Sequence, residues 1–222
     1  MTMFPQPIEA VIFDMDGLLL DTEAVYERAL MQAALLVGSD MPETFCRSMI
    51  GMPGQDCDAL IQAFFGSKFP LVAFNAAFER DVERRLEAGV PVKAGAAELL
   101  DRLAARGLPT AIATSSSRRT AEHHLGRSGL IDRFAVVVTR DDVDRGKPHP
   151  DLYLEAAKRL GIAPERCLAL EDSHHGIVAA HAAGTMAVMV PDMLLPTDAI
   201  RRLCVLIAQD LHEVRRLLER PD

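Results

Sequence analysis

The stretch that decides the fold is Val11-Ile12-Phe13-Asp14-Met15-Asp16-Gly17-Leu18-Leu19-Leu20-Asp21. Its apolar start predicts a strand buried on both faces, and strands of open parallel sheets carry functional groups at their carboxyl ends, where Asp14 stands. Because side chains alternate along an extended chain, Asp14 and Asp16 should project towards one place, and Gly17 lets the chain turn sharply after them. Two carboxylates held close together require a cation or a shared proton. The stretch therefore predicts the centre of an active site.

The composition is that of a globular protein with an acidic surface. The 24 Lys and Arg residues against 32 Asp and Glu residues give a net charge of −8. This balance argues against a nucleic-acid partner and against an anionic membrane surface. A small phosphorylated metabolite stays possible as a substrate, because local charge governs a pocket. We expect a monomer or a weak homo-oligomer.

The cysteines and the N-terminal residues indicate a cytoplasmic protein. The four cysteines show neither a Cys-x-x-Cys spacing nor a paired His motif, so reduced thiols are expected rather than a zinc site or disulfides. Residues 1–9 lack the basic and apolar regions of a secretory signal. No apolar run reaches the roughly 18 residues that a membrane-spanning helix needs.

Outside one insert, short apolar runs alternate with amphipathic helical patterns, which predicts an α/β fold with a doubly wound, Rossmann-like parallel sheet. Further strands are expected at 109–114, 135–138, 167–170 and 186–190, and helices at 95–106, 118–128, 150–160 and 175–183. The tail at 203–207 fits either a last edge strand or part of one long helix. We choose a strand there, followed by a helix over 211–220.

The insert follows the first strand and contains helical patterns only. They cover 23–37, 42–50, 55–65 and 69–88. This predicts an all-helical cap domain at 21–89, inserted into a core domain formed by 1–20 and 90–222. An insert at the carboxyl end of the central strand would lie over the site like a lid.

Four separated stretches offer complementary chemical groups: Asp14-x-Asp16, Thr114-Ser115-Ser116-Ser117, Gly146-Lys147-Pro148 and Leu170-Glu171-Asp172-Ser173. Three of them end or directly follow a predicted strand, so a doubly wound sheet would bring them to one rim. Hydroxyls and amides at a strand-to-helix junction favour an anion, and carboxylate oxygens suit Mg²⁺. Together they predict a phosphate site with a magnesium ion.

The charges suggest a division of labour in this site. Asp172, with Glu171 in support, supplies the acidic half, while Lys147 and Thr114 supply the anion-binding half. A phosphoryl dianion repels a carboxylate nucleophile, so attack by an aspartate requires Mg²⁺ between them. The residues alone leave open which of the two aspartates in Asp14-x-Asp16 attacks and which transfers protons.

In these residues the chain resembles the haloacid-dehalogenase-like hydrolase superfamily, over nearly its whole length. Four signatures match in order: Asp14-Met15-Asp16-Gly17-Leu18-Leu19-Leu20-Asp21, Thr114-Ser115, Lys147 in Gly-Lys-Pro-His-Pro-Asp, and Glu171-Asp172-Ser173-His174-His175-Gly176. The resemblance implies that Asp14 is the nucleophile and a metal ligand, and that Asp16 is the acid/base and a ligand through its backbone carbonyl. It implies that Asp172 is the third protein ligand.

The resemblance also implies the reaction. The superfamily's dehalogenases lack the second aspartate, so Asp16 points to phosphoryl transfer. The insert resembles the cap of the branch that holds β-phosphoglucomutase, phosphoglycolate phosphatase and sugar-phosphate phosphatases. The opening motif is closest to pseudouridine-phosphatase-like members. We therefore expect a Mg²⁺-dependent phosphoric monoester hydrolase that acts on a sugar phosphate or nucleoside monophosphate through an aspartyl-phosphate, with Thr114, Ser115 and Lys147 binding the substrate phosphate.

Two alternatives stay open. Mutases of the branch carry a cap arginine in a Gly-x-x-Arg segment, whose counterpart here is Gly51-Met52-Pro53-Gly54, and a histidine where this chain has Tyr26. These departures favour the phosphatase over a β-phosphoglucomutase-like isomerase. A phospho-accepting signalling module, the other alternative, needs neither Asp16 nor the insert. Candidate specificity residues of the cap are Glu23, Tyr26, Gly51 and Gln55.

Other polar residues near the motifs have simpler explanations. Asp21 is expected to cap the helix that starts near Thr22. Asp141, Asp142 and Asp144 are expected to form a solvated turn. Solvated helix positions are expected for four histidines: His123, His124, His181 and His212.

Overall fold

A six-stranded parallel sheet forms the core in a computed structural model that describes residues 4–49, 54–87 and 89–219. The strand order is β3-β2-β1-β4-β5-β6, and every neighbouring pair is parallel. The strands are β1 (Ala10–Phe13), β2 (Thr110–Ala113), β3 (Val136–Val138), β4 (Cys167–Glu171), β5 (Met186–Met189) and β6 (Leu206–Ile207). The order changes direction between β1 and β4, which makes this pair the switch point of the sheet.

The chain divides into two units, one made of Met1–Asp21 and Pro91–Asp222 and the other of Thr22–Val90. The boundaries expected from the sequence each differ from this division by one residue. The helices of the first unit are α5 (Ala96–Ala105), α6 (Arg118–Arg127), α7 (Asp151–Leu160), α8 (His174–Ala182), α9 (Asp198–Arg201) and α10 (Leu211–Glu219). Those of the second are α1 (Thr22–Leu36), α2 (Glu43–Arg47), α3 (Gly54–Phe65) and α4 (Leu71–Glu87).

The central strand β1 is buried on both faces, as its unbroken apolar sequence predicts. Its residues Ala10 and Ile12 belong to one apolar cluster with β2, β4, α7 and α8. Phe13 points the other way and packs edge-on against Phe134, with 5.9 Å between the ring centroids. Both faces of the central strand are therefore packed, and the parallel sheet with its strand order confirms the predicted doubly wound α/β fold.

The second unit is built around its own apolar cluster, and no strand occurs among its described residues. Five phenylalanine rings contact one another in turn at this cluster, two of the pairs stacked and the others edge-on or tilted: Phe45, Phe64, Phe65, Phe69 and Phe74. The carboxylate of Asp81 on α4 is buried here, and it pairs with Arg84 and with Arg85 at 2.6 Å, three and four positions along the same helix. The unit is the all-helical insert that the sequence predicts.

The tail contains the strand that we chose, followed by the expected helix, but β6 is only two residues long. The helix α9 before it was not predicted. It is four residues long and is capped by Thr197, whose hydroxyl accepts a hydrogen bond from the Ile200 amide at 3.3 Å. Among the helices described, none combines the length and the apolar character that a bilayer crossing requires.

Candidate active site

Asp14 stands directly after β1, at the switch point of the sheet. The register pairs Phe13 with Leu170 of β4, and the Asp14 amide donates to the Leu170 carbonyl at 3.0 Å. The side chain is 7% exposed and forms an ion pair with Lys147. Burial raises the pKa of the Asp14 carboxyl from 3.8 to about 8, against the attraction of Lys147 and with a further contribution from Glu171.

Three buried carboxylates converge at this point. Asp14, Glu171 and Asp172 offer oxygen atoms that all lie within 4.8 Å of one another. One buried ammonium group, that of Lys147, faces them, and burying this excess of negative charge is costly unless a cation balances it. A hard divalent cation such as Mg²⁺ fits this donor set. The expected Mg²⁺ site is thus supported by the chemistry of the side chains present.

Glu171 holds other site residues in place. Its Oε1 accepts hydrogen bonds from Lys147 at 2.5 Å and from the Tyr153 hydroxyl at 2.7 Å. Its Oε2 accepts from the amide and hydroxyl of Ser173 at 3.1 and 3.0 Å. Because each oxygen of Glu171 already accepts two hydrogen bonds, this carboxylate orients Lys147. Asp14 and Asp172 are therefore better placed than Glu171 to bind a metal.

Two glycines create the space for these carboxylates. Gly17 has a φ of +81°, which side chains disfavour, and a Cβ built there would overlap Oδ2 of Asp172. Gly176 lies in α8, and a Cβ there would overlap the carboxylate of Glu171. Gly17, the fourth residue of the first motif, and Gly176, the sixth residue of the last, are therefore required by the acids that lie against them.

Asp16 follows Asp14 in a tight turn in which the Leu19 and Leu20 amides both donate to the Met15 carbonyl at 3.0 Å. Its Oδ2 accepts a hydrogen bond from the Ser116 hydroxyl at 2.8 Å. Its Oδ1 lies 3.8 Å from Nδ1 of His124. The side chain is 19% exposed, so Asp16 is more accessible to solvent than Asp14.

The predicted anion-binding loop joins β2 to α6. Thr114 is buried, and its hydroxyl accepts a hydrogen bond from the Ser116 amide at 3.0 Å. Ser115 is exposed, and the hydrogen bond to Asp16 is made instead by Ser116. Ser117 caps the helix, and its hydroxyl accepts a hydrogen bond from the Thr120 amide at 3.2 Å. The sequence predicted the loop but not which serine of the run turns towards Asp16.

The segment before Lys147 is anchored by Asp142. This carboxylate accepts hydrogen bonds from the amide and hydroxyl of Thr139 at 2.8 Å and pairs with Arg118 at 2.6 Å and Arg159 at 3.0 Å. Burial opposes these contacts, but Thr139 and the two arginines hold the pKa of Asp142 well below its usual range. The expectation of a merely solvated turn is wrong for Asp142. Its neighbour Asp141 accepts from the Arg118 amide at 2.8 Å.

Two further site residues were not predicted. Tyr153 lies on α7 among apolar neighbours, so its hydroxyl contact with Glu171 has no signature in the sequence. His124 was expected at a solvated position, which is wrong, because it is 3% exposed. A signal was available, since Ala121, His124 and Leu125 recur with helical spacing and share the buried face of α6.

The proposed specificity residues lie in the helical unit. Glu23 and Tyr26 are half-buried on α1, where the Tyr26 ring packs against Phe78 with 6.3 Å between centroids. Gly51 and the side chain of Gln55 fall outside the described residues. Asp21, expected as a helix cap, accepts a hydrogen bond from Lys93 at 3.4 Å in the core unit.

The fold and the four converging motifs define a hydrolase of the haloacid-dehalogenase type. The model of the family described as haloacid dehalogenase-like hydrolase matches residues 8–184, and the chain belongs to this family. The resemblance read from the sequence, and with it the prediction of an enzyme, is confirmed.

Individual relatives are similar along most of their length. A Thermotoga maritima protein named phosphorylated carbohydrates phosphatase is 34% identical over 80% of this chain and 82% of its own. The crystal structure of a hydrolase of the family from Deinococcus radiodurans R1, with bound phosphate and sodium, is 32% identical with a TM-score of 0.82 and covers 96% of this chain and 95% of that one. A β-phosphoglucomutase from Clostridium difficile, at 23% identity over 93% of each chain, shares the fold with a TM-score of 0.75.

Proposed function

We propose that the chain is a Mg²⁺-dependent phosphatase that hydrolyses a small phosphorylated metabolite through an aspartyl-phosphate on Asp14. The observation that carries the proposal is the buried group of Asp14, Lys147, Glu171 and Asp172 at the switch point of the sheet. Nucleophile, cation and metal-binding carboxylate meet there, as phosphoryl transfer requires. The phosphatase named for a 34% identical relative supports this proposal and favours a sugar phosphate as the substrate.

In the first half-reaction a carboxylate oxygen of Asp14 attacks phosphorus, and the bond from phosphorus to the leaving alkoxide breaks. Asp16 gives its proton to that alkoxide. In the second half-reaction Asp16 takes a proton from water, the water oxygen attacks phosphorus, and the bond to Asp14 breaks. Inorganic phosphate leaves, and both aspartates return to their starting protonation states.

The proposed ligands of Mg²⁺ are the carboxylates of Asp14 and Asp172 and the backbone carbonyl of Asp16. When bound, the ion supplies the positive charge that favours ionised Asp14 and reduces its repulsion with phosphoryl oxygens. Lys147 would contribute a second positive charge, and Glu171 fixes the direction of its ammonium group. Thr114 and Ser115 complete the proposed phosphate-binding set.

The experiment replaces the nucleophile without changing its shape. D14N should abolish release of inorganic phosphate from a panel of sugar phosphates and nucleoside monophosphates while the far-ultraviolet circular dichroism stays that of the wild type. D101N is the matched control, because Asp101 is exposed and pairs only at the surface with Arg133 at 2.6 Å. A D14N protein with near-normal turnover would refute the role of Asp14.

The isomerase alternative is tested with β-glucose 1-phosphate and its bisphosphate activator. We expect phosphate release to exceed formation of glucose 6-phosphate, since Tyr26 occupies the position of the mutase histidine. Faster isomerisation than hydrolysis would make the chain a mutase. A stable phosphoprotein without phosphate release would instead indicate the signalling alternative.

A further inference from the structure

A buried imidazole that the proposed chemistry does not use lies beside the candidate acid/base. His124 is on α6 and is 3% exposed. Among the described residues, its Nδ1 is buried and has no hydrogen-bond partner. The Asp16 carboxylate oxygen Oδ1 lies 3.8 Å from this nitrogen.

A buried ring nitrogen without a partner costs free energy, so its position calls for an explanation. The helical phase alone would place an apolar residue here, since the neighbours of His124 on the buried face are Ala121 and Leu125. The 3.8 Å separation is longer than a hydrogen bond. Catalytic hydrogen bonds are often long in a ligand-free enzyme and shorten when the substrate binds.

We infer that His124 is a positioning residue for Asp16. Its Nδ1–H donates to Oδ1 of Asp16 in the working enzyme, while the Ser116 hydroxyl donates to Oδ2, as it already does at 2.8 Å. Two donors from the same β2–α6 segment then hold both oxygens of the carboxylate. A neutral imidazole with its hydrogen on Nδ1 is sufficient for this role.

The inference rests on the proposed function, because it takes Asp16 as the group that protonates the leaving alkoxide. The inference predicts a different effect for substrates with different leaving groups. An alkoxide from a sugar or a glycerol phosphate is a poor leaving group and needs the proton, whereas 4-nitrophenolate leaves readily without one. Loss of the positioning residue should therefore slow the first half-reaction of alkyl phosphates much more than that of an activated aryl phosphate.

The experiment compares kcat/KM of the Mg²⁺-loaded protein on glycerol phosphate, or on the best alkyl phosphate of the panel, and on 4-nitrophenyl phosphate. This ratio reports the steps up to departure of the alcohol and leaves out hydrolysis of the aspartyl-phosphate, in which Asp16 acts as a base on every substrate. H124L should lower kcat/KM on the alkyl substrate by about 10- to 100-fold, part of the 10²- to 10⁴-fold that a general acid contributes. On the aryl substrate kcat/KM should change by less than about 3-fold. H123L is the matched control, since His123 is the exposed neighbour on the same helix.

Two conservative variants separate positioning from packing. H124N places an amide N–H near the position of Nδ1, and should restore the alkyl-to-aryl ratio of kcat/KM to within about 3-fold of the wild type. H124Q places its amide farther out, near the position of Nε2, and should not restore it. This pair keeps the test decisive even if H124L does not fold.

The outcomes distinguish the inference from the function on which it rests. D16N should show the same selective loss of kcat/KM as H124L, only larger. If D16N is selective but H124L and H124Q keep the wild-type ratio, the role of His124 is overturned and the proposed function stands. If D16N itself is not selective, the acid/base role of Asp16 fails and the inference fails with it.

Discussion

The pKa values of two buried aspartates in this protein are shifted in opposite directions. Asp81 of the helical unit pairs with Arg84 and Arg85 one helical turn away, and although burial opposes it, these arginines lower its pKa. Asp14 of the core pairs with Lys147, 133 positions away, yet its pKa is raised to about 8, chiefly by burial. Two arginines pair with Asp81, whereas Asp14 shares a single lysine with Glu171.

The difference teaches how to tell a structural acid from a functional one. Local partners that come with the helix stabilise Asp81 and leave no demand for another ligand. The excess of carboxylates around Lys147 is unfavourable in the protein alone, and the metal ion of the proposed function would balance it. The contrast in the direction of the pKa shift is therefore a physical marker of the site.

The largest expected effect comes from removing the charge at Asp14. We expect D14N to lose at least about 10⁴-fold in kcat, as replacement of a nucleophile does. Without metal it should nevertheless be more stable than the wild type at pH 8, because the amide has no charge to bury. Thermal melts with a chelator present measure this, and a less stable D14N protein would contradict the account of Asp14.

The raised pKa of Asp14 also determines how the stability of the metal-free protein depends on pH. The pKa of Asp14 is 3.8 ordinarily and about 8 in the folded protein, so folding favours its protonated form. Stability from this group is complete below about pH 4 and is lost as the pH rises towards 8. Adding Mg²⁺ at pH 8 should raise the melting temperature of the wild type much more than that of D14N. Equal increases in the two proteins would contradict this account of Asp14.

Next in size is a pair of helical glycines that differ only in their neighbours. We expect G176A to be destabilised by about 1–3 kcal/mol and to lose activity, because its methyl group would displace Glu171 from Lys147. G126A on α6 meets nothing within 4 Å and should gain about 0.5–1 kcal/mol. Denaturant titrations and kcat measure both, and similar results for the two variants would contradict the close contact.

A smaller effect is expected at Tyr153. Y153F removes one of four hydrogen bonds to Glu171 while Lys147 and Ser173 still hold its oxygens. A cost of about 1 kcal/mol in unfolding free energy is typical of such a loss. The activity should fall only a few-fold, and a collapse of kcat would mean that Tyr153 acts directly on the substrate.

The smallest effect belongs to Asp81. Because Arg84 is 70% exposed, D81N should cost only about 0.5 kcal/mol after screening by solvent. Its lowered pKa means that this stability is present at neutral pH and is lost as the pH falls through the acidic range. Urea titrations of D81N and wild type at neutral and acidic pH should converge at the acidic end.

The sheet and the motif positions were predictable because the signals are local. An unbroken apolar run such as Ala10–Phe13 marks a strand buried on both faces, and the residue after it stands at the sheet edge whatever the rest of the chain does. The boundaries of the helices α5 to α8 follow from their glycines and caps to within one or two residues. The insert was recognisable because strand patterns are missing from it.

The contacts that were not predicted depend on how a loop turns and how helices pack. No single stretch of the sequence specifies either. In a run of serines, the turn of the loop after β2 decides that Ser116 and not Ser115 contacts Asp16. His124 is buried because it shares one face of α6 with Ala121 and Leu125. This helical spacing is visible in the sequence, but the polarity of His124 led us to expect a solvated position. The partners of Glu171 lie on α7 and in the α8 cap, and only the packed structure brings them together.

The contacts between the glycines and the acids also constrain how this sequence can change over generations. A side chain at Gly17 would need the volume that Asp172 fills, and one at Gly176 would need the volume of Glu171. Neither glycine can therefore be exchanged before its acid is shortened, and shortening the acid first sacrifices the proposed chemistry. We expect descendants of this chain to keep or lose each pair together, so that paired absence in a homologue would mark a protein that has abandoned the reaction while retaining the fold.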